Sequence, residues 1–280
     1  MGRSLFPSIR LEQLEHIGSG MWGSVYRIKD AKFVVKVPND TGGHLFELEK
    51  KCFERLADNE LIAHYLGVTR VTTGSMQKCG LLLQYYPLGT LREFLIQPAS
   101  LMVRHSRKQQ LLWTAQIIRA VIHIHSCAMI HGDIGIHNIL VGENFDLKLT
   151  DFGGSSLDGT EMQVECRPQY HRPHSWRFPI SGVDDLTETW KIPTKIADTF
   201  ALGTVLYEVF TGTPLHKDVG YDEIRRYATR KEYPDLSIIN MAEVRGVIAG
   251  CWDENYEDAT QILKDLQSIW DETSAFNLSN

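Results

Sequence analysis

Residues 131–153 read HGDIGIHNILVGENFDLKLTDFG, and this stretch decides the fold of the chain. Short apolar runs at 139–141 and 146–150 surround a Gly-Glu-Asn turn, which predicts a β-hairpin. The hairpin brings Asp151 back beside Asn138, close to Asp133. Asp133 can orient a hydroxyl and accept its proton, while Asn138 and Asp151 offer the oxygen ligands that Mg²⁺ prefers. A single loop carboxylate is also typical of a capped turn, but the set of three predicts a phosphotransfer site.

A second stretch, Gly18-Ser19-Gly20-Met21-Trp22-Gly23, is rich in glycine and leads into a β-rich run at 24–28. Glycine lets backbone N–H groups approach phosphate oxygens, since no Cβ stands in the way. A dinucleotide-binding turn of similar composition would be followed by a helix. The strand that follows here predicts a β-turn-β flap over a phosphate, with an ordinary hairpin turn as the alternative.

Lys36 lies within the apolar run 33–37. A lysine on an apolar strand needs a carboxylate partner. The periodicity of 45–56 predicts a helix that offers two candidates, Glu47 and Glu49. Glu49 lies on the apolar face of that helix, whereas Glu47 lies on its polar face. We therefore expect a Lys36–Glu49 ion pair, with an exposed lysine at a sheet edge as the alternative.

The remaining pattern divides the chain into a β-rich first part and a helical second part. Strands are predicted at 14–17, 24–28, 33–37 and 80–86, and helices at 45–56, 111–122 and 201–210. The prediction is an α+β fold of two lobes that form a single domain over 1–280. A small β-rich lobe with one helix would cover about 11–86, a hinge about 84–90, and a larger, mainly helical lobe about 91–272.

The composition is that of an ordinary globular protein, with 43% hydrophobic and 23% charged residues. A formal net charge of −6 argues against a nonspecific nucleic-acid binder. The five cysteines show no paired spacing, which is typical of reduced thiols inside a cell. No apolar stretch is long enough to span a bilayer. We expect a cytoplasmic or nuclear monomer with neither a nucleic-acid nor a membrane partner.

These motifs, in this order, resemble the protein-kinase family over about 14–269. The ordered set is specific: a glycine loop, a strand lysine, a helix glutamate, a hinge, His-Gly-Asp with Asn138, and Asp151-Phe152-Gly153. The resemblance implies an ATP-dependent protein kinase that uses Mg²⁺ and phosphorylates a protein hydroxyl. Ser or Thr is expected before Tyr, on the frequency of each specificity in the family. The identity of the protein substrate does not follow from the sequence.

The resemblance also assigns roles to individual positions. Asp133 would be the catalytic base, and Lys36, paired with Glu49, would hold the α- and β-phosphates. Asn138 and Asp151 would bind Mg²⁺. The ATP-binding residues would be Gly18, Ser19, Gly20, Gly23, Val25, Val34, Lys36, Leu83, Gln84, Tyr85, Tyr86 and Leu140. A hydrophobic spine would consist of Tyr65, Phe53, Phe152 and His131, and the anchor of the catalytic loop would be Asp198.

Several positions depart from the family pattern. Gly132 replaces the arginine that binds an activation-loop phosphate, so we expect that loop phosphorylation is not the on-switch. Gly135 replaces the lysine that neutralises the transferring phosphoryl group in Ser/Thr kinases, and Arg167 replaces its threonine partner. We expect Arg167 or His137 to supply the missing cation, with weak catalysis as the alternative. His174 replaces a glutamate whose arginine partner is also absent, which we interpret as a tolerated double loss.

Two other interpretations stay open. A pseudokinase would be a nucleotide-binding interaction module, but the retained Asp133, Asn138 and Asp151 argue against it. An atypical small kinase of the KEOPS-complex type would also carry His-Gly-Asp, but the glycine loop and the full helical lobe argue against it. The aromatic-rich segment at 174–197 is predicted to be either a ledge for a substrate or partner, or a packed surface flap.

Overall fold

The structure is a computed structural model that describes residues 8–20, 23–39, 43–73, 75–162, 166–172, 194–216 and 218–267. The strands of its first part are β1 (Ile9–Arg10), β2 (Leu14–Ser19), β3 (Gly23–Ile28), β4 (Phe33–Pro38), β5 (Tyr65–Thr73) and β6 (Met76–Gln84). They form one sheet of order β1-β5-β6-β4-β3-β2. The helix α1 (Gly43–Leu56) connects β4 to β5.

The side chains of strand β4 alternate between the two faces of this sheet. Val35 and Val37 belong to one apolar cluster, whereas Val34 belongs to the larger cluster that includes α1 residues. Since successive side chains of a strand point to opposite faces, Lys36 shares the face of Val34. The strand therefore directs this lysine toward α1 and not toward the outer side of the sheet.

Helix α1 presents an amphipathic surface to the sheet. Its buried residues recur at helical spacing: Leu45, Glu49, Cys52, Phe53 and Leu56. The predicted helix at 45–56 is confirmed, and Glu49 lies on its buried face with 3% exposure. Glu47, on the polar face, is exposed and lies 3.6 Å from Lys50.

The second part is mainly helical. Its helices are α2 (Leu91–Ile96), α3 (Leu101–Arg104), α4 (Arg107–Ser126), α5 (Lys195–Thr211), α6 (Tyr221–Arg230), α7 (Ala242–Trp252) and α8 (Ala259–Asp265). Its short strands are β7 (Met129–Ile130), β8 (Ile139–Val141), β9 (Leu147–Leu149) and β10 (Ser156–Leu157). Strand β8 pairs with β9, and β7 pairs with β10. No helix within the described ranges is long and apolar enough to cross a membrane.

The predicted two-lobed α+β fold is confirmed, with corrections to element boundaries. Strand β6 ends at Gln84, before the predicted limit at 86, and α5 begins at Lys195 because Thr194 caps it by accepting the N–H of Ala197. The sequence analysis did not predict β5, α2 or the helices after α5. Most of the aromatic-rich segment, 174–193 with His174, lies outside the described residues.

Candidate active site

The loop 131–138 is fixed to the helical core by Asp198 of α5. The two carboxylate oxygens of Asp198 accept the N–H groups of His131 and Gly132, each at 2.9 Å. The Nε2 atom of His125 lies 2.9 Å from the same carboxylate. Asp198 is 1% exposed, and these donors compensate for the burial of its charge. The loop backbone is therefore held rigidly where it carries Asp133.

The β8–β9 hairpin brings the three oxygen-bearing residues together, as predicted. Ile139 pairs with Leu149 in the hairpin, and the carbonyl of Asn138 accepts the N–H of Thr150 at 3.0 Å. The amide Nδ2 of Asn138 donates to Asp133 Oδ2 at 2.9 Å. Asp133 Oδ1 is buried and has no hydrogen-bond partner in the described part of the chain. One oxygen of this carboxylate is thus oriented, and the other lacks a hydrogen-bond donor among the described residues.

Lys36 joins the two lobes through its ammonium group. Its Nζ atom donates to Glu49 at 2.8 Å and to Asp151 at 2.7 Å, which confirms the predicted Lys36–Glu49 pair. Burial works against the lysine charge, but Asp151 and Glu49 together raise the pKa of Lys36 above its ordinary value. Burial works against the charge of Asp151 as well, but Lys36 holds the pKa of Asp151 below its usual range. Both groups are therefore ionised at neutral pH.

Four rings in contact form a second connection between the two lobes. The ring centroids of Phe53 and Tyr65 lie 5.3 Å apart, those of Phe53 and Phe152 5.1 Å, and those of Phe152 and His131 5.1 Å. His131 Nε2 also lies 3.0 Å from the carbonyl oxygen of Thr150. The predicted stack is present, and it ties α1 to the residues on either side of Asp151.

A cavity of about 380 Å³ opens between the lobes, within the size range of small-molecule sites. The predicted residues that line it are Gly18, Val25, Val34, Lys36, Leu83, Gln84, Tyr85, Tyr86, His137, Asn138, Leu140 and Asp151. The sequence analysis missed Ile17, Pro87, Gly89, Thr90, Glu93 and Thr150. The predicted residues Ser19, Gly20, Gly23, Glu49 and Asp133 are not among its lining residues.

The flap and the hinge border this cavity. Gly20 N–H donates to the carbonyl of Gly23 at 2.8 Å, which closes the tight turn between β2 and β3. In the hinge, the N–H groups of Gln84 and Tyr85 donate to the carbonyls of His64 and Lys32. The N–H of Tyr86 has no acceptor within the described ranges. Of the three predicted hinge residues, Tyr86 therefore has the N–H that is available to a ligand.

Asn138 and Asp151 fit a role as Mg²⁺ ligands. The Asn138 amide turns its NH₂ toward Asp133, which leaves its carbonyl oxygen for a cation. Asp151 adopts a left-handed backbone conformation at φ 65° and is anionic because Lys36 lowers its pKa. Two protein oxygens are what a site completed by substrate phosphates and water requires.

The position of the missing lysine, Gly135, is enclosed by two rings. A Cβ atom at Gly135 would lie 2.5 Å from His137 Cε1 and 2.7 Å from Tyr170 Cε2. The two rings contact each other with centroids 5.4 Å apart. His137 Nε2 lies 3.5 Å from Asp133 Oδ2. The imidazole therefore fills the space beside the carboxylate that a side chain at 135 would enter.

Arg167, the other candidate for the missing cation, precedes the short turn that contains Tyr170. Its carbonyl accepts the N–H of Tyr170 at 2.9 Å, and its charge opposes the rise in the pKa of Tyr170 that burial causes. No hydrogen bond or ion pair joins Arg167 to Asp133 among the described residues. Of the two candidates, only His137 therefore contacts Asp133 within the described ranges.

The segment that follows Asp151 makes two contacts that the sequence analysis missed. The side chain of Met162 covers the backbone of Gly132 so closely that a Cβ at Gly132 would collide with its methyl group. Arg55 of α1 forms a bidentate ion pair with Asp158, at 3.0 and 2.9 Å. Local periodicity carries no signal for either contact, because each pairs residues far apart in the chain.

An ion pair that was not predicted lies close to the segment with His174, which is itself outside the described residues. Arg172, just before the segment with His174, donates to Glu254 at 2.5 Å, and its Nη1 donates to Thr194 at 3.3 Å. Glu254 follows α7, near the position of the missing family arginine. This pair links residue 172 to the chain after α7, and the double loss at His174 stays a prediction.

Comparisons with known proteins agree with this geometry. The sequence model of the family described as "Protein tyrosine and serine/threonine kinase" matches residues 11–267. The chain is 30% identical to a probable receptor-like protein kinase of Arabidopsis thaliana over 70% of its length. It is 24% identical to a tyrosine-protein kinase of Girardia tigrina over 90% of its length. A mitogen-activated protein kinase of Candida albicans is 31% identical over 41% of the chain.

The family match covers most of the chain, and the chain therefore belongs to the protein kinase family. Its relatives include a receptor-like kinase, a tyrosine kinase and mitogen-activated kinases. The family match therefore does not distinguish between Ser/Thr and Tyr as the phosphorylated residue. The matches cover 58%, 51% and 28% of these three relatives.

Proposed function

We propose that this protein is an active, ATP-dependent protein kinase that transfers the γ-phosphoryl group to a protein hydroxyl. One observation carries the proposal: Asp133 has one carboxylate oxygen held by Asn138, while the other is buried and unpartnered. A buried carboxylate oxygen without a donor is costly unless a substrate supplies one. A hydroxyl bound there would be oriented for attack and would pass its proton to Asp133.

The other residues support this role by position and charge. Lys36, fixed between Glu49 and Asp151, is held where it can bind the non-transferred phosphates of ATP. Asn138 and Asp151 would hold Mg²⁺, which neutralises charge on the phosphates when bound. We propose His137 as the replacement for the missing lysine, because its Nε2 atom lies 3.5 Å from Asp133 and lines the cavity.

We propose Ser and Thr as the acceptors, since most members of the family act on these residues. Phosphoamino-acid analysis of the product tests this choice, and phosphotyrosine as the main product would contradict it. The reaction requires ATP and Mg²⁺.

The direct test of kinase activity compares the wild type with Asp133→Ala, using Mg·ATP and a mixed protein substrate. We expect turnover to be lost in Asp133→Ala and kept in Asp222→Ala, a control that removes an exposed carboxylate on α6. Equal turnover of the wild type and Asp133→Ala would contradict the proposal.

A pseudokinase is the second candidate, and the absence of a lysine at Gly135 favours it. Thermal shift separates the two functions from an inert fold. ATP at about 100 times its Kd stabilises a protein that binds it by about 2.7 kcal/mol. Stabilisation of both the wild type and Asp133→Ala, without turnover by either, would identify a binding module.

A further inference from the structure

Two arginines flank the catalytic loop outside the nucleotide cavity. Arg92, on α2, is exposed, and Arg167 is partly exposed. Neither is among the residues that line the cavity. Neither has a carboxylate partner within the described ranges of the chain. Guanidinium groups without an ion-pair partner are available to a ligand, and a planar guanidinium binds carboxylates in a bidentate manner.

A backbone hydrogen bond joins Arg92 to the loop, and Arg167 precedes a short turn that packs against the loop through Tyr170. Arg92 N–H donates to the carbonyl of Ile136 at 2.9 Å, one residue before His137. The carbonyl of Arg167 accepts the N–H of Tyr170 at 2.9 Å, and the Tyr170 ring contacts His137. The backbone of Arg92 is therefore attached next to His137, and that of Arg167 next to the ring that contacts His137.

The acidic groups near these arginines do not neutralise them. Glu208, fully buried on α5, accepts the Tyr170 hydroxyl at 2.7 Å and the Leu215 N–H at 2.9 Å. Burial raises the pKa of Glu208 to about 8, and the charges of Arg92 and Arg167 counteract only part of that rise. Glu93, on α2, is engaged by the N–H and hydroxyl of Thr90. Neither glutamate forms an ion pair with Arg92 or Arg167 in the described part of the chain, so both guanidinium groups remain open to an acidic ligand.

We propose that the protein substrate carries acidic residues, Asp or Glu, next to its phosphorylated hydroxyl, and that Arg92 and Arg167 select them. This inference rests on the proposed kinase function and names the substrate class of that same site. A segment that presents its hydroxyl to Asp133 passes between the two guanidinium groups. Acidic side chains on either side of the hydroxyl pair with them, whereas basic side chains are repelled.

The test uses peptide libraries with a central Ser, Thr or Tyr and with flanks that are all acidic, all basic or all neutral. We expect the highest kcat/KM for the acidic library, and we expect this advantage to come from a lower KM. The advantage should decrease at high salt, because salt screens the charges. Arg92→Glu and Arg167→Glu should each lower the acidic preference about fivefold, the upper range for partly exposed ion pairs. Arg119→Glu, the same charge change at an exposed position on α4, should leave the preference unchanged.

A binding measurement keeps this inference separate from the proposed function. Acidic and basic peptides with Ala at the acceptor position are titrated into the ATP-loaded protein by fluorescence anisotropy. Tighter binding of the acidic peptide, weakened by Arg92→Glu and Arg167→Glu, supports the inference even if no library is phosphorylated. Equal binding of both peptides, or an acidic preference that Arg119→Glu lowers as strongly, would overturn it.

Discussion

Met162 lies directly over Gly132, and its methyl group occupies the space that any side chain at Gly132 would enter. Gly132 has a positive φ of 75°, and Met162 is buried at 7% exposure. The segment after Asp151 is thus packed against the catalytic loop by an apolar contact, at the position where an arginine would bind a phosphate. The expectation that loop phosphorylation is not the on-switch stays a prediction, and this contact supplies an alternative means of ordering the segment.

This contact predicts a steric coupling between the two positions. Gly132→Ala should destabilise the protein by about 2 kcal/mol, because it combines backbone strain with a clash against Met162. Met162→Ala removes the side chain with which a methyl group at position 132 would clash. The double variant should therefore be about 1 kcal/mol more stable than the sum of the two single changes in unfolding free energy implies. Chemical denaturation of all four proteins measures the coupling, and strictly additive effects would show that Met162 does not limit position 132.

The shared ammonium of Lys36 predicts separate effects on catalysis and stability. Lys36→Met should lower turnover at least about 10²-fold by removing a phosphate-binding charge. It should also destabilise the protein, because Glu49 is left buried without a cation. Lys36→Met/Glu49→Leu should regain stability without regaining turnover. Lys32→Met, whose side chain is 85% exposed, is the matched control. Recovery of turnover in the double variant would disprove the role of Lys36 in catalysis.

The position of His137 predicts a loss in kcat. His137→Ala should reduce kcat on a neutral peptide about 10²-fold, comparable to the loss of one donor at a developing charge. His137→Arg should restore part of it. Arg167→Ala should act mainly on KM for an acidic peptide, because no hydrogen bond or ion pair joins Arg167 to Asp133 among the described residues. Steady-state kinetics of the three variants distinguish these effects, and unchanged kcat in His137→Ala would exclude this residue as the replacement cation.

Glu208 predicts a pH dependence of stability. Its pKa is raised by burial to about 8, whereas an unfolded glutamate titrates near pH ~4.3. The folded state therefore holds the proton more tightly between these values, and the stability that Glu208 contributes is lost as pH rises toward 8. Glu208→Gln should remove this loss. The difference in Tm between this variant and the wild type should therefore increase between about pH 5 and about pH 8. Parallel Tm curves would contradict the assignment, and Glu232→Gln, at an exposed position, is the control.

The Arg172–Glu254 pair predicts that a charge swap is tolerated. Arg172→Glu or Glu254→Arg alone should destabilise the protein by about 1 kcal/mol, since both side chains are partly exposed. The double reversal should recover most of this loss. Equilibrium unfolding measures the coupling free energy between the two residues. A double variant as unstable as the two single losses combined would show that the Arg172–Glu254 pair does not stabilise the fold.

The sequence predicted those parts of the site that depend on local pattern. Lys36 and Glu49 were paired correctly, because a charged residue on each apolar face requires a partner. The hairpin placed Asp151 beside Asn138, because its turn was recognisable. Tyr65 was expected in the hydrophobic spine, but its strand β5 was not predicted. Boundaries set by capping, such as the start of α5, were wrong by several residues.

The long-range side-chain contacts lay beyond sequence reasoning. Arg172 was not identified as an ion-pair partner, because Glu254 is brought to it by helices that the sequence analysis did not predict. The enclosure of Gly135 by His137 and Tyr170 likewise depends on how two separate loops meet. Such contacts are decided by the packing of the whole lobe, and no periodicity or turn signal reports them.

Helix α1 holds both Glu49, which binds Lys36, and Arg55, which binds Asp158. These residues are six apart on one rigid helix, or about 9 Å along its axis. We therefore expect occupancy of the nucleotide cavity and the position of the segment at Asp158 to be thermodynamically linked through α1. A partner protein that binds this segment while Asp158 is paired with Arg55 should then raise the affinity for nucleotide. By reciprocity, bound nucleotide should raise the affinity for that partner by the same factor.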